Sequence, residues 1–229
     1  MNTSEIYLDN AATTRPDPEV VACMHQLECQ ALGNASSLHK AGRRASVVVE
    51  KARKIIAEKL GVEVDEIIFT SGGTESNNIA IKGVAFANAD RGRHLVISEI
   101  EHPSIFETAR WLETQGFEVT LVAVNSEGIV SPQKVREAIR QDTVLVSIMQ
   151  ANNEIGTIQP IDDLAWICKD AGTLFHTDAC QSFGRTPLAP RTCPVDLISL
   201  SSHKTHGPTG VGALFIRKNT AITPLLHGG

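Results

Sequence analysis

Two stretches with apolar positions at helical spacing open the chain, over 18–30 and 37–60, the second stopped by Gly61. Beyond them, short apolar runs alternate with amphipathic ones. Strands are expected over 66–70, 94–98, 117–124, 143–149, 174–178, 196–200 and 211–216, with helices over 74–89, 103–115, 131–140 and 161–171. The runs VLVSIM, TLFHTD and DLISLS are apolar through most of their length and do not alternate, which is how strands covered on both faces read. Strands separated by helices imply right-handed crossovers. The expected fold is therefore α/β: a mostly parallel, doubly wound sheet of seven strands with helices on both faces. In such a sheet a ligand lies beyond the carboxyl ends of the strands. The polar oddities of this sequence fall at those ends.

Composition narrows the function classes. The 229 residues suit one large domain with a substantial core. A formal net charge of -5 supplies no basic stripe, so a nucleic-acid partner is not expected. The N-terminus, MNTSEIYLDN, turns polar almost at once. It reads as neither a signal peptide nor a membrane span, and the expected location is the cytoplasm. Five cysteines (Cys23, Cys29, Cys168, Cys180 and Cys193) contain no CxxC pair, so neither a disulfide framework nor a metal site is expected.

The candidate chemistry starts with Lys204, in SSHKTHGPTG just after a strand. Ser201, Ser202 and His203 precede it, and Gly207, Gly210 and Gly212 follow, a backbone suited to close approach. Such a lysine is either a solvated loop residue or an amine placed to form a Schiff base with a carbonyl cofactor. Asp178 ends the run TLFHTD, where it serves as a cap or as the partner of a pyridinium nitrogen. Gln181, three residues on, can donate an amide hydrogen bond to such a ring's phenolic oxygen. Gly72-Gly73-Thr74 opens a helix after a strand, which makes an anion site or an ordinary helix start; no GK[ST] follows to make it a Walker loop. His102 stands past another strand end and suits ring stacking and proton transfer. Of Asn152 and Asn153, one amide suits a ligand and the other the turn.

Taken together, DNAATT (9–14), FTSGGTESNN (69–78), SEIEHPS (98–104), ANNEIGTIQPI (151–161), HTDACQSFG (176–184) and SSHKTHGPTGVGAL (201–214) resemble the cysteine desulfurases, class-V, fold-type-I pyridoxal-phosphate enzymes of the nitrogen-fixation and iron–sulfur-assembly type. Six ordered motifs at compatible spacings are far more specific than any one of them. The resemblance implies pyridoxal 5′-phosphate held on Lys204, with His102 stacked on the ring and assisting proton transfer. It implies Asp178 at the pyridine nitrogen, Gln181 and Asn152 on the phenolic side, and Gly73, Thr74, Ser201 and His203, with Ser202 beside them, around the phosphate. The implied reaction converts L-cysteine to L-alanine and leaves a persulfide on an enzyme cysteine. A homodimer that passes sulfur to an iron–sulfur scaffold or another acceptor protein is expected with it. A class-V aminotransferase, a selenocysteine lyase and a non-catalytic cofactor-binding fragment are the alternatives.

The departures matter too. His206 and Thr209 stand where the family usually has a tyrosine and a lysine. TPLLHGG closes the chain where the resembled family continues through an Arg-Ser-Gly-Thr phosphate contact, the loop bearing the nucleophilic cysteine and a carboxylate-binding arginine. The expected organisation is thus an N-terminal arm over 1–15 on the small-domain side, a large cofactor-binding domain over 16–229, and no C-terminal small domain. Cys180, beside Asp178, is expected to pack as a small core thiol and not to replace the missing nucleophile.

Overall fold

The computed structural model describes residues 6–30 and 32–228. Helix α1 (Pro18–Glu28) starts on an Asp17 cap, whose carboxylate accepts the Glu19 N–H at 2.8 Å. None of its residues is buried. Helix α2 (Lys40–Leu60) begins later than the apolar spacing suggests. The reason is local: His39 caps it by accepting the Gly42 N–H, and the Ser37 N–H is turned back onto the Asn34 carbonyl. There follow β1 (Ile67–Thr70), α3 (Gly73–Ala87), β2 (His94–Ser98), α4 (Pro103–Glu113), β3 (Glu118–Val122) and α5 (Pro132–Ala138). The chain continues through β4 (Thr143–Ser147), α6 (Ile161–Asp170), β5 (Leu174–Asp178), β6 (Leu197–Ser201) and β7 (Gly212–Ile216). All seven expected strands are present, and the boundaries differ by a few residues at their frayed ends.

They form one sheet in the order β1-β7-β6-β5-β4-β2-β3. The pairs from β3 across to β6 are parallel, while β7 runs antiparallel to both β6 and β1. The reversal follows from chain length. β6 and β7 are joined by a ten-residue loop without a helix, too short for a crossover back to the same end. The period of two along each strand divides the core. Leu95, Ile97, Leu145, Leu197 and Leu214 pack under α3 and α4. Val96, Val146, Phe175, Ile198 and Phe215 pack on the other face with α2, α5 and α6. Helices on both faces, as the apolar strands require, complete the doubly wound arrangement. No helix among the described residues is long and apolar enough to cross a membrane.

The topology sets the site. The carboxyl ends of β1, β2, β4, β5 and β6 lie along one edge of the sheet, and β7 enters there, with Gly212 opposite both Thr70 and Ser201. A Cβ on Gly212 would stand 2.6 Å from Gly72 Cα, so this glycine lets β7 pass against the Gly72-Gly73 turn. Of the glycines after Lys204, Gly207 and Gly212 thus serve close approach, to Ser202 and to Gly72, while Gly210 holds a positive φ of 79°.

Candidate active site

A cleft at this edge is lined by Gly73, Thr74, His102, Asp178, Gln181, Ser201, His203 and Lys204, together with Asn77, Ser104, Met149, Asn153 and Cys180. Eight of the ten residues that the resemblance assigns to the cofactor therefore meet in one place, delivered by β1, β2, β5 and β6. The other two are turned to structural work. Asn152 accepts the Glu154 and Ile155 N–H groups at 2.8 and 3.0 Å and donates to the Ile100 carbonyl at 3.0 Å, which closes the turn after β4; it is Asn153 that lines the cleft. Ser202 donates within its own loop, to the Pro208 and Val211 carbonyls.

Asp178, 6% exposed, accepts the Cys180 N–H at 2.9 Å and the Asn77 amide at 2.7 Å. Lys204 follows β6 on a loop clamped by the N-terminal arm. Thr14 donates its N–H and hydroxyl to the His203 carbonyl at 2.8 and 2.9 Å and accepts the His206 N–H at 2.8 Å. His206, at a φ of 62°, holds a left-handed conformation that this clamp stabilises. The arm expected over 1–15 begins outside the described residues, and its described part reaches the cleft: the Gln181 amide donates to the Ala11 carbonyl at 2.8 Å.

The charges are tuned by burial. His102 is held below the ordinary histidine value by burial, which Lys204 reinforces and Asp178 opposes. Burial also lowers His203, again with Lys204. Glu101, beside His102, is pushed up to about 8 by burial; bonds from Ser98 and the Met149 N–H pull the other way, and the charge of Asp178 adds to the rise. Burial and the neighbouring Asp178 carboxylate raise the Cys180 thiol well above its ordinary value. That thiol stays protonated and packs against the Gly72-Gly73 turn, so it behaves as core, as expected, and not as a nucleophile.

Two buried side-chain atoms lining the cleft, Asn77 Oδ1 and Ser201 Oγ, have no hydrogen-bond partner. Buried polar groups are nearly always satisfied, and such orphans at a cleft wall are acceptors and donors for a ligand. Asn77, Ser104 and Glu101 escaped the sequence reading. For Asn77 a signal existed: residues 77, 80, 81 and 84 form one stripe of α3, all buried, and an asparagine on that stripe needs partners. A roomier groove of about 800 Å³ lies between the arm, α1 and residues 207–209, away from the strand ends that gather the titratable groups.

Known proteins are similar to this chain in sequence and fold. The family described as Aminotransferase class-V matches residues 6–229. Cysteine desulfurase IscS of Dictyoglomus turgidum is 52% identical over 225 residues, 98% of this chain and 57% of that protein. Cysteine desulfurase IscS of Methanosarcina thermophila is 52% identical over 224 residues, 98% of this chain and 55% of that protein. Among solved structures, SspA in complex with cysteine superposes with a TM-score of 0.95 at 41% identity, covering 98% of this chain and 65% of that one. A NifS-like protein superposes with a TM-score of 0.95 at 44% identity, covering 98% and 62%. The chain thus spans little more than half the length of the curated relatives it matches.

Proposed function

Since this chain belongs to the class-V aminotransferase family, we propose that its cleft works in a cysteine desulfurase, taking L-cysteine to L-alanine and passing the sulfur to a cysteine thiol as a persulfide. The cofactor that goes with this family and fold is pyridoxal 5′-phosphate, and the residues present fit it. An amine, a carboxylate and an imidazole converge on one cleft whose wall carries two unpartnered polar atoms. Lys204 would hold the cofactor covalently through its amine. Asp178 would hold the proton on its ring nitrogen through a charge-assisted hydrogen bond. Gly73, Thr74, Ser201 and His203 would hold its phosphate at the start of α3, where free backbone N–H groups favour an anion. When bound, the cofactor supplies an electron sink for charge developing at the substrate's Cα.

This chain's own residues then bind, orient and move protons. Lys204 Nζ is the one basic amine among the residues lining the cleft, and it moves the proton at the substrate's Cα. Asp178 keeps the ring charged and is itself kept in place by Asn77 and the Cys180 N–H. The clamp from Thr14 and His206 fixes the loop on which Lys204 rides, so the amine is aimed before substrate arrives. The accepting thiol is not Cys180, which burial keeps protonated; we place it outside the cleft described here. In the same reading the working unit is a cytoplasmic homodimer, its arm over 1–15 lies toward a small domain, and an iron–sulfur scaffold or another acceptor protein takes the sulfur.

The observation that carries the proposal is the meeting of Lys204, Asp178 and His102 in a chain this similar to curated cysteine desulfurases. The test uses full-length protein loaded with pyridoxal phosphate and given L-cysteine with a thiol reductant. Alanine and sulfide released in equal amounts over many turnovers are expected. A keto acid with the cofactor left as its amine form would make the protein an aminotransferase, and preference for selenocysteine would make it a lyase for that substrate.

A further inference from the structure

Four side chains from three elements form one hydrogen-bonded line through the cleft wall. Asp178 Oδ2 accepts from Asn77 Nδ2 at 2.7 Å, and the same amide nitrogen donates to Ser104 Oγ at 2.8 Å. Ser104 Oγ lies 2.8 Å from His102 Nδ1. The direction of every bond follows from the first. An ionised carboxylate only accepts, so the Asn77 atom facing it is the NH₂ group. Ser104 Oγ accepts from that NH₂ group, which turns its own hydrogen toward His102 Nδ1. The Ser104 backbone N–H donates to the same ring nitrogen at 3.1 Å, because His102 is the N-cap of α4 and uses its ring as the capping acceptor. Two donors converge on Nδ1, and a proton there would face both.

We propose that Asn77 and Ser104 are positioning residues that hold His102 as the tautomer carrying its proton on Nε2. The meaning for catalysis rests on the reading above: in a loaded cleft His102 presents an uncharged N–H donor at Nε2, with Nδ1 closed to protons. The helix start works in the same direction, since its positive end disfavours a charged cap. Of the other charged groups around the ring, Lys204 also opposes the imidazolium, while Asp178 favours it. Glu101 precedes His102 in the chain and is protonated near neutrality, and His203 and Cys180 line the same cleft. The relay settles which nitrogen is protonated in the neutral ring, a choice that burial alone does not make.

Ring-labelled ¹⁵N-histidine protein, loaded with pyridoxal phosphate, shows the tautomer directly in two-bond ¹H–¹⁵N spectra, with the His102 signals identified by their loss in His102→Gln. The expected pattern is a protonated Nε2 and an unprotonated Nδ1. Ser104→Ala should raise the apparent His102 pKa by about one pH unit, the worth of one lost hydrogen bond, and weaken the tautomer preference. Ser104→Thr keeps the hydroxyl and should restore both. Asn77→Ala frees the serine hydroxyl to turn away and should move the signals in the same direction as Ser104→Ala. A wild-type ring protonated on Nδ1, or Ser104→Ala signals identical to wild type, overturns the proposal. This outcome is separable from the desulfurase reading: an Nε2–H signature in a protein that releases no alanine sinks only that reading, and alanine release with an Nδ1–H ring sinks only the relay.

Discussion

Glu101 is 6% exposed and accepts from Ser98 Oγ and from the Met149 N–H through one oxygen, while its other oxygen has no partner. Burial without a cation is why its carboxyl is pushed up from an ordinary value of 4.5 to about 8. The folded protein therefore keeps a proton on Glu101 that the unfolded chain gives up, so this residue's contribution is complete below pH 4.5 and is lost as pH rises toward about 8. The slope is at most about 1.4 kcal/mol per pH unit. Glu101→Gln, neutral at every pH and still an acceptor for Ser98 and Met149, should flatten that decline and be the more stable protein at pH 8. Urea midpoints measured from pH 5 to 8 check this, and equal slopes for the two proteins would contradict it. At this scale the sequence was legible where residue type and chemistry coincide, as for Lys204, Asp178 and His102. It was silent on Glu101, which reads as an ordinary charged loop residue until β2 and β4 close over it.

At the scale of elements, the site depends on how closely β1, α3 and the turn after β5 approach each other. A Cβ on Gly73 would fall 2.5 Å from Cys180 Sγ, because the buried thiol fills the space beside the first turn of α3. Gly73→Ala should therefore cost about 1–3 kcal/mol of stability and loosen phosphate binding with it. Cys180→Ala in the same protein removes the sulfur from the contact and should recover most of that loss. A double-mutant cycle on urea midpoints reads the coupling, and two independent, additive effects would mean that the two residues do not meet. The neighbouring strands are tied by polar groups of the same kind. His176 bridges Ser147 and Ser199 at 2.8 and 2.9 Å, and so clasps β4, β5 and β6. Burial pulls His176 down to about 4, so its neutral, bridging form persists well into acid. The apolar periods of two and 3.6 made the strands and helices readable. The antiparallel course of β7 was not, because strand direction depends on the length and path of the connecting loop and leaves no mark in periodicity.

For the whole molecule, seven strands and two layers of helices bring residues far apart in sequence to one edge, and that convergence was foreseeable from strand ends alone. What could not be foreseen is which of two adjacent amides turns inward. Asn152 and Asn153 have the same chemistry, and only the backbone of the turn, with two N–H groups directed at Asn152, decides between them. The clamp from Thr14 to His203 and His206 spans most of the chain and was equally out of reach of local pattern. The proposed chemistry requires that this edge hold pyridoxal phosphate through Lys204. Borohydride reduction of the cofactor-loaded protein fixes that linkage, and peptide mapping by mass then locates it. A pyridoxyl group is expected on Lys204 and on no other lysine; a label elsewhere, or none in a folded and cofactor-supplemented sample, would contradict the proposed role of Lys204.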